Sequence, residues 1–195
     1  FFPAILPDQS DIPFSRPFLE SAKDEYILFW GPSKVFRVHH ETYERETFPM
    51  TIAWFRSFYG TNPNVKEPCM YNQDWYLEEP FAHQTLEDKW YLIRKEVLHE
   101  TREKQITDAK IPSHSTLPSA ILATAVFFAH ELLYHEKLWS HDYTWCSDLD
   151  GNLDEVYVGR YGGDPRKKNG FSIHRHLRLT KHYGIAPRLF EITPD

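Results

Sequence analysis

The sequence contains only two cysteines, Cys69 and Cys146, and neither belongs to a C-x-x-C pair. Zinc fingers and thioredoxin-like redox sites need closely spaced cysteine pairs, so neither function has support. Unpaired cysteine behaves as a small apolar residue and is usually buried. We therefore expect two part-buried thiols that are not bonded to each other. A single disulfide is the alternative, and it would indicate an oxidising compartment.

Glycine is also scarce, with 8 glycines against 14 prolines, so we expect stiff loops. The chain has no G-x-G-x-x-G sequence, no P-loop and no G-x-S-x-G elbow. These motifs hold phosphates against backbone amides or expose a nucleophilic serine. Nucleotide cofactors and serine hydrolase chemistry therefore have no support.

No apolar run is long enough to span a membrane. The most apolar stretch, residues 120–129, falls short of the ~20 residues that a transmembrane helix needs. The chain begins with Phe1 and Phe2, without an initiator methionine and without a charged leader before an apolar segment. We expect a soluble, cytoplasmic protein with no membrane partner, whose N-terminus has been trimmed or processed. A signal peptide that had already been removed would leave the same sequence.

Aromatic side chains, in contrast, are abundant. They make up 16% of the 195 residues, and hydrophobic residues together make up 41%, which argues against disorder. A chain of this length fits one domain and buries roughly 70% of the surface that its unfolded form exposes. We therefore expect a single domain over residues 1–195 that needs no disulfide or structural metal to fold. Residues 1–14 are expected to form an extended N-terminal arm.

Residues 119–137 form the clearest predicted helix. Pro118 lies at its start, and either Thr116 or Ser119 can cap its first turn. The first half reads AILATAVFFA and is apolar on every side, so we predict a central helix that is buried over that half. Two shorter helices are predicted over residues 16–23 and 50–59.

The predicted strands lie on both sides of this long helix. Upstream, residues 25–30 and 34–39 resemble the two strands of a hairpin. Residues 89–97 could begin a helix that runs to Arg102, but their β-branched and aromatic residues favour a further strand. Downstream, turn signals separate three strand-like segments that predict an antiparallel meander: residues 138–146, 155–161 and 170–179. Because no β-α-β rhythm is present, we predict an α+β fold with a mainly antiparallel sheet, whose C-terminal meander packs on the buried helix.

Charge is distributed unevenly along the chain. The net charge is −6, but residues 156–195 contain eight basic and three acidic residues. Their net charge is +5, which leaves −11 for the rest of the chain. Such asymmetry indicates an anionic partner for the basic end. The alternative is that the two parts of the chain attract each other.

His174 and His176 are the first candidate site residues among 11 histidines. On a strand over residues 171–179, alternation places both on one face with Arg178, while Arg175 lies on the opposite, otherwise apolar face. Two imidazoles at this spacing can bind one metal ion, or contact a phosphate beside Arg178. A solvated sheet surface without a ligand is the alternative.

A metal on this face needs a third ligand. The polar face of the strand predicted over residues 138–146 offers Asp142 and Cys146. A divalent metal held by His174, His176 and Asp142 is therefore compatible with the sequence. No other cofactor is predicted.

Two further patterns resemble metal motifs but fail on detail. His130, Glu131 and His135 share the composition of the zinc protease motif but not its spacing, because histidines five apart on a helix lie ~140° apart and cannot share one metal. Residues 148–154, DLDGNLD, do not match the ligand order of a calcium loop. We interpret them as a β-turn rich in aspartate, asparagine and glycine.

Three function classes remain. The first is a binding protein whose basic, aromatic C-terminal sheet face holds a phosphate-bearing or nucleic-acid ligand, with these contacts: His174, His176, Arg178, Arg175 and Arg160. The second is a metal- or histidine-dependent hydrolase or phosphodiesterase with His174 or His176 as general base. The third is an assembly protein with an aromatic protein–protein interface, and a homo-oligomer is compatible with it. We favour the first, and the sequence does not decide whether the protein is an enzyme.

Overall fold

The computed structural model of the protein describes residues 2–3, 7–161, 169–176 and 183–189. Its α-helices are α1 (Arg16–Ala22), α2 (Ile52–Tyr59) and α3 (Ala120–Tyr134). Short 3-10 helices cover Gln9–Asp11, Pro80–His83 and His99–Thr101. The strands are β1 (Phe2–Pro3), β2 (Tyr26–Gly31), β3 (Lys34–Val38), β4 (Arg45–Pro49), β5 (Lys89–Arg94), β6 (Ser115–Thr116), β7 (Tyr143–Leu149), β8 (Glu155–Gly159), β9 (Ser172–His174), β10 (Tyr183–Gly184) and β11 (Arg188–Leu189).

Each α-helix begins at a side-chain cap. The hydroxyls of Ser15, Thr51 and Ser119 accept hydrogen bonds from backbone N–H groups in the first turns of α1, α2 and α3. Helix α2 ends at Gly60, as predicted. Helix α3 ends earlier than residue 137 because His135 adopts a left-handed backbone conformation, with φ 56°.

The strands form three sheets in antiparallel or mixed pairing. Their orders are β1-β3-β4, β2-β5-β11-β6 and β10-β7-β8-β9. The last is the C-terminal sheet: β7, β8 and β9 form the predicted antiparallel meander, and β10 adds a fourth strand parallel to β7. The α+β fold class with a C-terminal meander is confirmed.

The predicted hairpin of residues 25–30 with residues 34–39 is wrong. Strand β2 pairs with β5 over six residues, whereas β3 pairs with β4 and β1. The turn after β2 is bonded to the residue before β5: the backbone N–H and the hydroxyl of Ser33 both donate to the Asp88 carboxylate at 2.8 Å. This contact places the start of β5 beside the end of β2 and directs β3 into another sheet.

Helix α3 lies at the centre of the larger hydrophobic core, as predicted. Eleven of its residues are buried. The rings of Phe127 and Phe128 contact Phe171 beside the C-terminal sheet, and Phe128 also contacts Tyr59 of α2. The last turn differs, since Leu132, Leu133 and Tyr134 are 52%, 72% and 67% exposed.

The C-terminal sheet has two distinct faces. Strand alternation and the register of the pairs define an inner face toward α3: Thr144, Cys146, Val156, Val158 and Ile173. The outer face carries the other set: Tyr143, Trp145, Tyr157, Ser172, His174 and Tyr183. Four of these aromatic residues form a second, smaller hydrophobic cluster with Leu117 and Ile185.

Both cysteines are free and buried, so the prediction that they are not bonded to each other is confirmed. Burial raises the pKa of each thiol. Among the residues that the structure describes, no helix has both the length and the apolar character needed to cross a membrane.

Candidate functional site

Strand β9 is shorter than the sequence predicts. It covers only Ser172–His174, and the backbone then bends through Arg175 and His176. His176 has a left-handed conformation with φ 58°, which interrupts the alternation of side chains. The expectation that His174 and His176 share one strand face is therefore wrong. Arg178 lies outside the described residues.

His174 occupies the outer face of the C-terminal sheet, enclosed by aromatic rings. The ring centroids of Tyr143 and Tyr71 lie 5.4 Å and 6.3 Å from its own. The Gln73 Nε2 atom lies 3.4 Å from His174 Nδ1. Burial, with a smaller contribution from the positive charge of Arg160, lowers the pKa of His174 to about 4. His174 is therefore neutral at physiological pH.

Arg160 lies beside this histidine at the end of β8. Its backbone, at φ 48°, is fixed by N–H donation to the carbonyl oxygens of Trp139 and Asp142 at 2.9 Å and 2.8 Å. Burial raises the pKa of the Tyr143 hydroxyl, and the positive charge of Arg160 and the Ser172 hydroxyl oppose this shift. Within the described ranges, no carboxylate lies within ion-pair distance of this exposed guanidinium. We call Arg160, His174, Tyr143 and Ser172 the outer-face cluster.

Arg175, another predicted ligand contact, has its charge already paired. Its Nη1 atom donates to Asp150 Oδ2 at 2.6 Å and lies 3.8 Å from Glu79 Oε1. Its guanidinium also stacks over the Trp75 ring at 4.5 Å. This residue therefore joins the β7–β8 turn to the segment before β5, and its charge is not available to a ligand in this arrangement.

The predicted metal set of His174, His176 and Asp142 is not assembled within the described part of the chain. Both carboxylate oxygens of Asp142 accept hydrogen bonds from the Arg102 guanidinium. Cys146, the other suggested ligand, lies on the inner face. Asp142 is therefore paired with Arg102 and is not grouped with the two histidines.

One possible metal-binding group is nevertheless present, at Asp150, Asp154 and His176. Their ligand atoms lie within 4.8 Å of one another, and His176 Nε2 lies 2.7 Å from Asp154 Oδ2. Asp150 also accepts the backbone N–H groups of Asn152 and Asp154, as expected of a turn. Burial opposes its charge, but hydrogen bonds from Arg175 and these amides hold the pKa of Asp150 below its ordinary value. The sequence identified the turn but not its contact with His176.

Two residues that lie against His174, Tyr71 and Gln73, belong to the loop of residues 61–88, and the sequence did not predict this contact. The Tyr71 backbone N–H donates to the Phe171 carbonyl oxygen at 2.9 Å, which brings Tyr71 and Gln73 to β9. Gly170 permits this approach, since a Cβ atom there would lie 2.4 Å from the Tyr71 nitrogen. No local pattern signals a contact between segments about a hundred residues apart.

The three residues of the zinc-like pattern on α3 have other contacts in the structure. His130 Nδ1 lies 2.9 Å from the Glu136 carbonyl oxygen, and Glu131 forms an ion pair with Lys137 at 3.3 Å. His135 supplies the left-handed end of the helix. These three residues therefore fix the end of α3.

Comparison of the chain with known protein families, with curated proteins and with solved structures finds no match.

Proposed function

We propose that the protein binds an anionic, phosphate-bearing ligand at the outer-face cluster. The observation that carries this proposal is the exposed guanidinium of Arg160, whose charge acts on Tyr143 and His174 and which has no carboxylate partner among the described residues. Arginine binds phosphate and carboxylate through a planar set of donors. Arg175, by contrast, already has carboxylate partners.

The groups around Arg160 offer neutral donors to the same anion. The hydroxyls of Tyr143 and Ser172 can each rotate to donate. If Gln73 donates to His174 Nδ1, the proton of the neutral imidazole is on Nε2, which is then also a donor. One positive charge with several neutral donors suits a small anion. The overall charge of −6 disfavours general coating of nucleic acid, so the site is local.

The geometry favours binding over catalysis at this cluster. A general base works best when its pKa lies near the operating pH. The pKa of about 4 makes His174 a weak base at neutral pH. Its neutral form is suited to holding a ligand by hydrogen bonds.

Calorimetric titration with inorganic pyrophosphate at low salt tests the proposal. Replacing Arg160 by alanine removes a charge-assisted hydrogen bond, and such bonds contribute about 1.5–3 kcal/mol. We therefore expect the affinity to fall by about tenfold or more. Arg37→Ala is the matched control, because it removes an exposed arginine from β3. Equal affinities of wild-type and Arg160→Ala proteins would exclude this site.

The pH dependence has a defined sign. An anion beside His174 favours its protonated form, so binding is linked to proton uptake and the affinity should weaken as pH rises from about 4. Because burial lowers the pKa of His174, the affinity should begin to weaken at a pH below ~6.5, the ordinary pKa of an exposed imidazole. Sulfate is the suitable probe, since its own charge stays constant in this range. An affinity for sulfate that increases with pH would contradict the role of His174.

The group of Asp150, Asp154 and His176 supports a second candidate function, the binding of a divalent metal. The proximity of one imidazole nitrogen and two carboxylates favours it. Because Arg175 shares Asp150, we expect weak binding. Affinity for Zn²⁺ should strengthen as pH rises, since a ligating histidine must be deprotonated. Asp154→Asn should abolish zinc binding. The control is Asp108→Asn, which changes an exposed aspartate elsewhere and should leave zinc binding intact. Unchanged zinc affinity in Asp154→Asn would refute the site.

A further inference from the structure

A polar cleft of 670 Å³ lies between the start of β2, the end of β5 and the C-terminal end of α3. Sites for small molecules commonly have volumes of roughly 300–1,000 Å³. The cleft is lined by residues 24–25, 94–96, 102, 130 and 136–142, all within the continuously described range 7–161. Apart from Asp142, which is paired with Arg102, none of them was considered above as a ligand contact.

His130 presents an unpaired acceptor to this cleft. The residue is only 8% exposed, and its Nδ1 atom lies 2.9 Å from the Glu136 carbonyl oxygen. Because a carbonyl oxygen can only accept, Nδ1 carries the proton of the neutral imidazole and Nε2 is an acceptor. Nε2 has no hydrogen-bond partner among the described residues, and it is not one of the unpaired atoms that are shut off from solvent. Since His130 lines the cleft, this acceptor opens into it.

The basic side chains that line the cleft already have acceptors. Their contacts are Arg94 with Glu25, Arg102 with Asp142, Lys137 with Glu131, and Lys95 with the carbonyl oxygen of Lys23. A ligand anion would have to compete with these contacts. The cleft is therefore not suited to an anion, in contrast to the outer-face cluster.

Three carboxylates of the cleft have no comparable contact. The side chains of Asp24, Glu96 and Glu136 are exposed, and none forms a hydrogen bond or an ion pair with another described residue. Glu96 acts only at longer range, on the charge of Arg102. Exposed carboxylates alone do not indicate a ligand. Together with the acceptor nitrogen of the buried His130, they favour a ligand that carries both donors and positive charge.

A single metal ion does not fit these acceptors. Among the described residues, the one group of three ligand atoms within 4.8 Å of one another is that of Asp150, Asp154 and His176. The acceptors of the cleft are therefore spaced more widely than the ligands of one ion. An organic cation can reach separate acceptors, because each ammonium group offers three donors and a methylene chain can join several such groups.

We propose that this cleft binds a polyamine, a linear organic cation with two or more ammonium groups. One ammonium group donates to His130 Nε2, and the others lie against the carboxylates of Asp24, Glu96 and Glu136. Leu138 and Trp139 also line the cleft and provide apolar surface for the methylene chain.

Calorimetric titration with spermidine at low salt tests the proposal. His130→Asn keeps an amide donor near the position of Nδ1 and removes the Nε2 acceptor. We expect it to weaken binding by about tenfold or more, since a hydrogen bond to a charged group is lost. Asp24→Asn and Glu96→Gln each remove one exposed charge and should weaken binding by about two- to fivefold. Glu78→Gln is the matched control, because Glu78 is exposed and does not line the cleft.

Nitrogen-15 NMR of the histidine rings distinguishes a direct contact from a general effect of charge. Spermidine should shift the Nε2 resonance of His130 and leave that of His114, an exposed histidine outside the cleft, unchanged. Thermal unfolding by circular dichroism shows whether each variant is folded. If His130→Asn is not, the two carboxylate variants and the Nε2 resonance of the wild type decide.

Three results would overturn the proposal. The first is the absence of spermidine binding at low salt. The second is an affinity that neither Asp24→Asn nor Glu96→Gln lowers, or a His130 Nε2 resonance that spermidine does not shift. The third is Mg²⁺ binding with the same affinity as spermidine and the same losses in these variants, which would reduce the cleft to a site of general attraction for cations.

Discussion

The two faces of the C-terminal sheet are built from alternate residues of the same strands, yet they differ in chemistry. On the inner face, Val156, Val158 and Ile173 are almost wholly buried against α3. On the outer face, rings with polar ends such as Tyr143 and His174 pack against one another. The inner face provides stability through apolar burial, while the outer face uses aromatic packing to fix polar groups in place.

The outer face retains polar groups at a cost. The Trp145 Nε1 donor is buried and has no hydrogen-bond partner among the described residues. An unsatisfied buried donor costs about 1–3 kcal/mol. His174 is likewise held in its neutral form by burial. Such features are typical of a face selected for more than stability, and mutations on the two faces should therefore have different consequences.

The largest effect is expected on the inner face, from Val158→Asp. Val158 is 0% exposed, so the new carboxylate is buried without a partner, which costs several kcal/mol. We expect no cooperative thermal unfolding transition by circular dichroism. Leu153→Asp, the same kind of change in an exposed turn, should unfold almost like the wild type. A cooperative transition of Val158→Asp near the wild-type temperature would show that the inner face is not the stabilising one.

An intermediate effect is expected on the outer face, in the acid stability of the protein. Unfolded His174 binds a proton below ~6.5, whereas folded His174 binds one only below about 4. Between these values the unfolded state binds more protons, so the free energy of unfolding falls as pH decreases. His174→Gln removes this titrating group. The free energy of unfolding should then change less with pH between about 4 and ~6.5.

Urea unfolding at several pH values measures this slope. His114→Gln is the control, because His114 is an exposed histidine outside the C-terminal sheet. A steeper slope in His174→Gln, or the same slope in all three proteins, would show that His174 is not buried in its neutral form.

Local sequence patterns were enough to predict the helix and the strands that form the inner face of the C-terminal sheet and its packing partner. The apolar run after Pro118 predicted the buried α3, and Ser119 caps it as expected. The meander also followed from turn signals between strand-like segments. Both features depend on residues close together in the chain, where periodicity and capping chemistry are informative.

The pairing of β2 and the composition of the outer face could not be predicted in this way. The partner of β2 is β5, about sixty residues away, and periodicity does not specify which strand lies beside another. His174 was predicted from the sequence, but its neighbours Tyr71 and Gln73 come from a distant loop. The left-handed backbone of His176 has no reliable signal, since glycine and asparagine are the residues that usually mark such positions.

The smallest effect is expected from Tyr143→Phe, which keeps the ring in the aromatic cluster and removes only the hydroxyl. The Arg160 guanidinium and the Ser172 hydroxyl both act on that hydroxyl, and the loss of a side-chain hydrogen bond costs about 0.5–1.5 kcal/mol of stability. Combining Tyr143→Phe with Arg160→Ala in a double-mutant cycle separates the two partners. Because Arg160 is exposed, its coupling to Tyr143 should be below about 1 kcal/mol in the free protein.

In pyrophosphate titrations, the same double-mutant cycle should show a larger coupling energy if one anion contacts both Tyr143 and Arg160. Additive losses of affinity would mean that Tyr143 and Arg160 do not hold the same ligand.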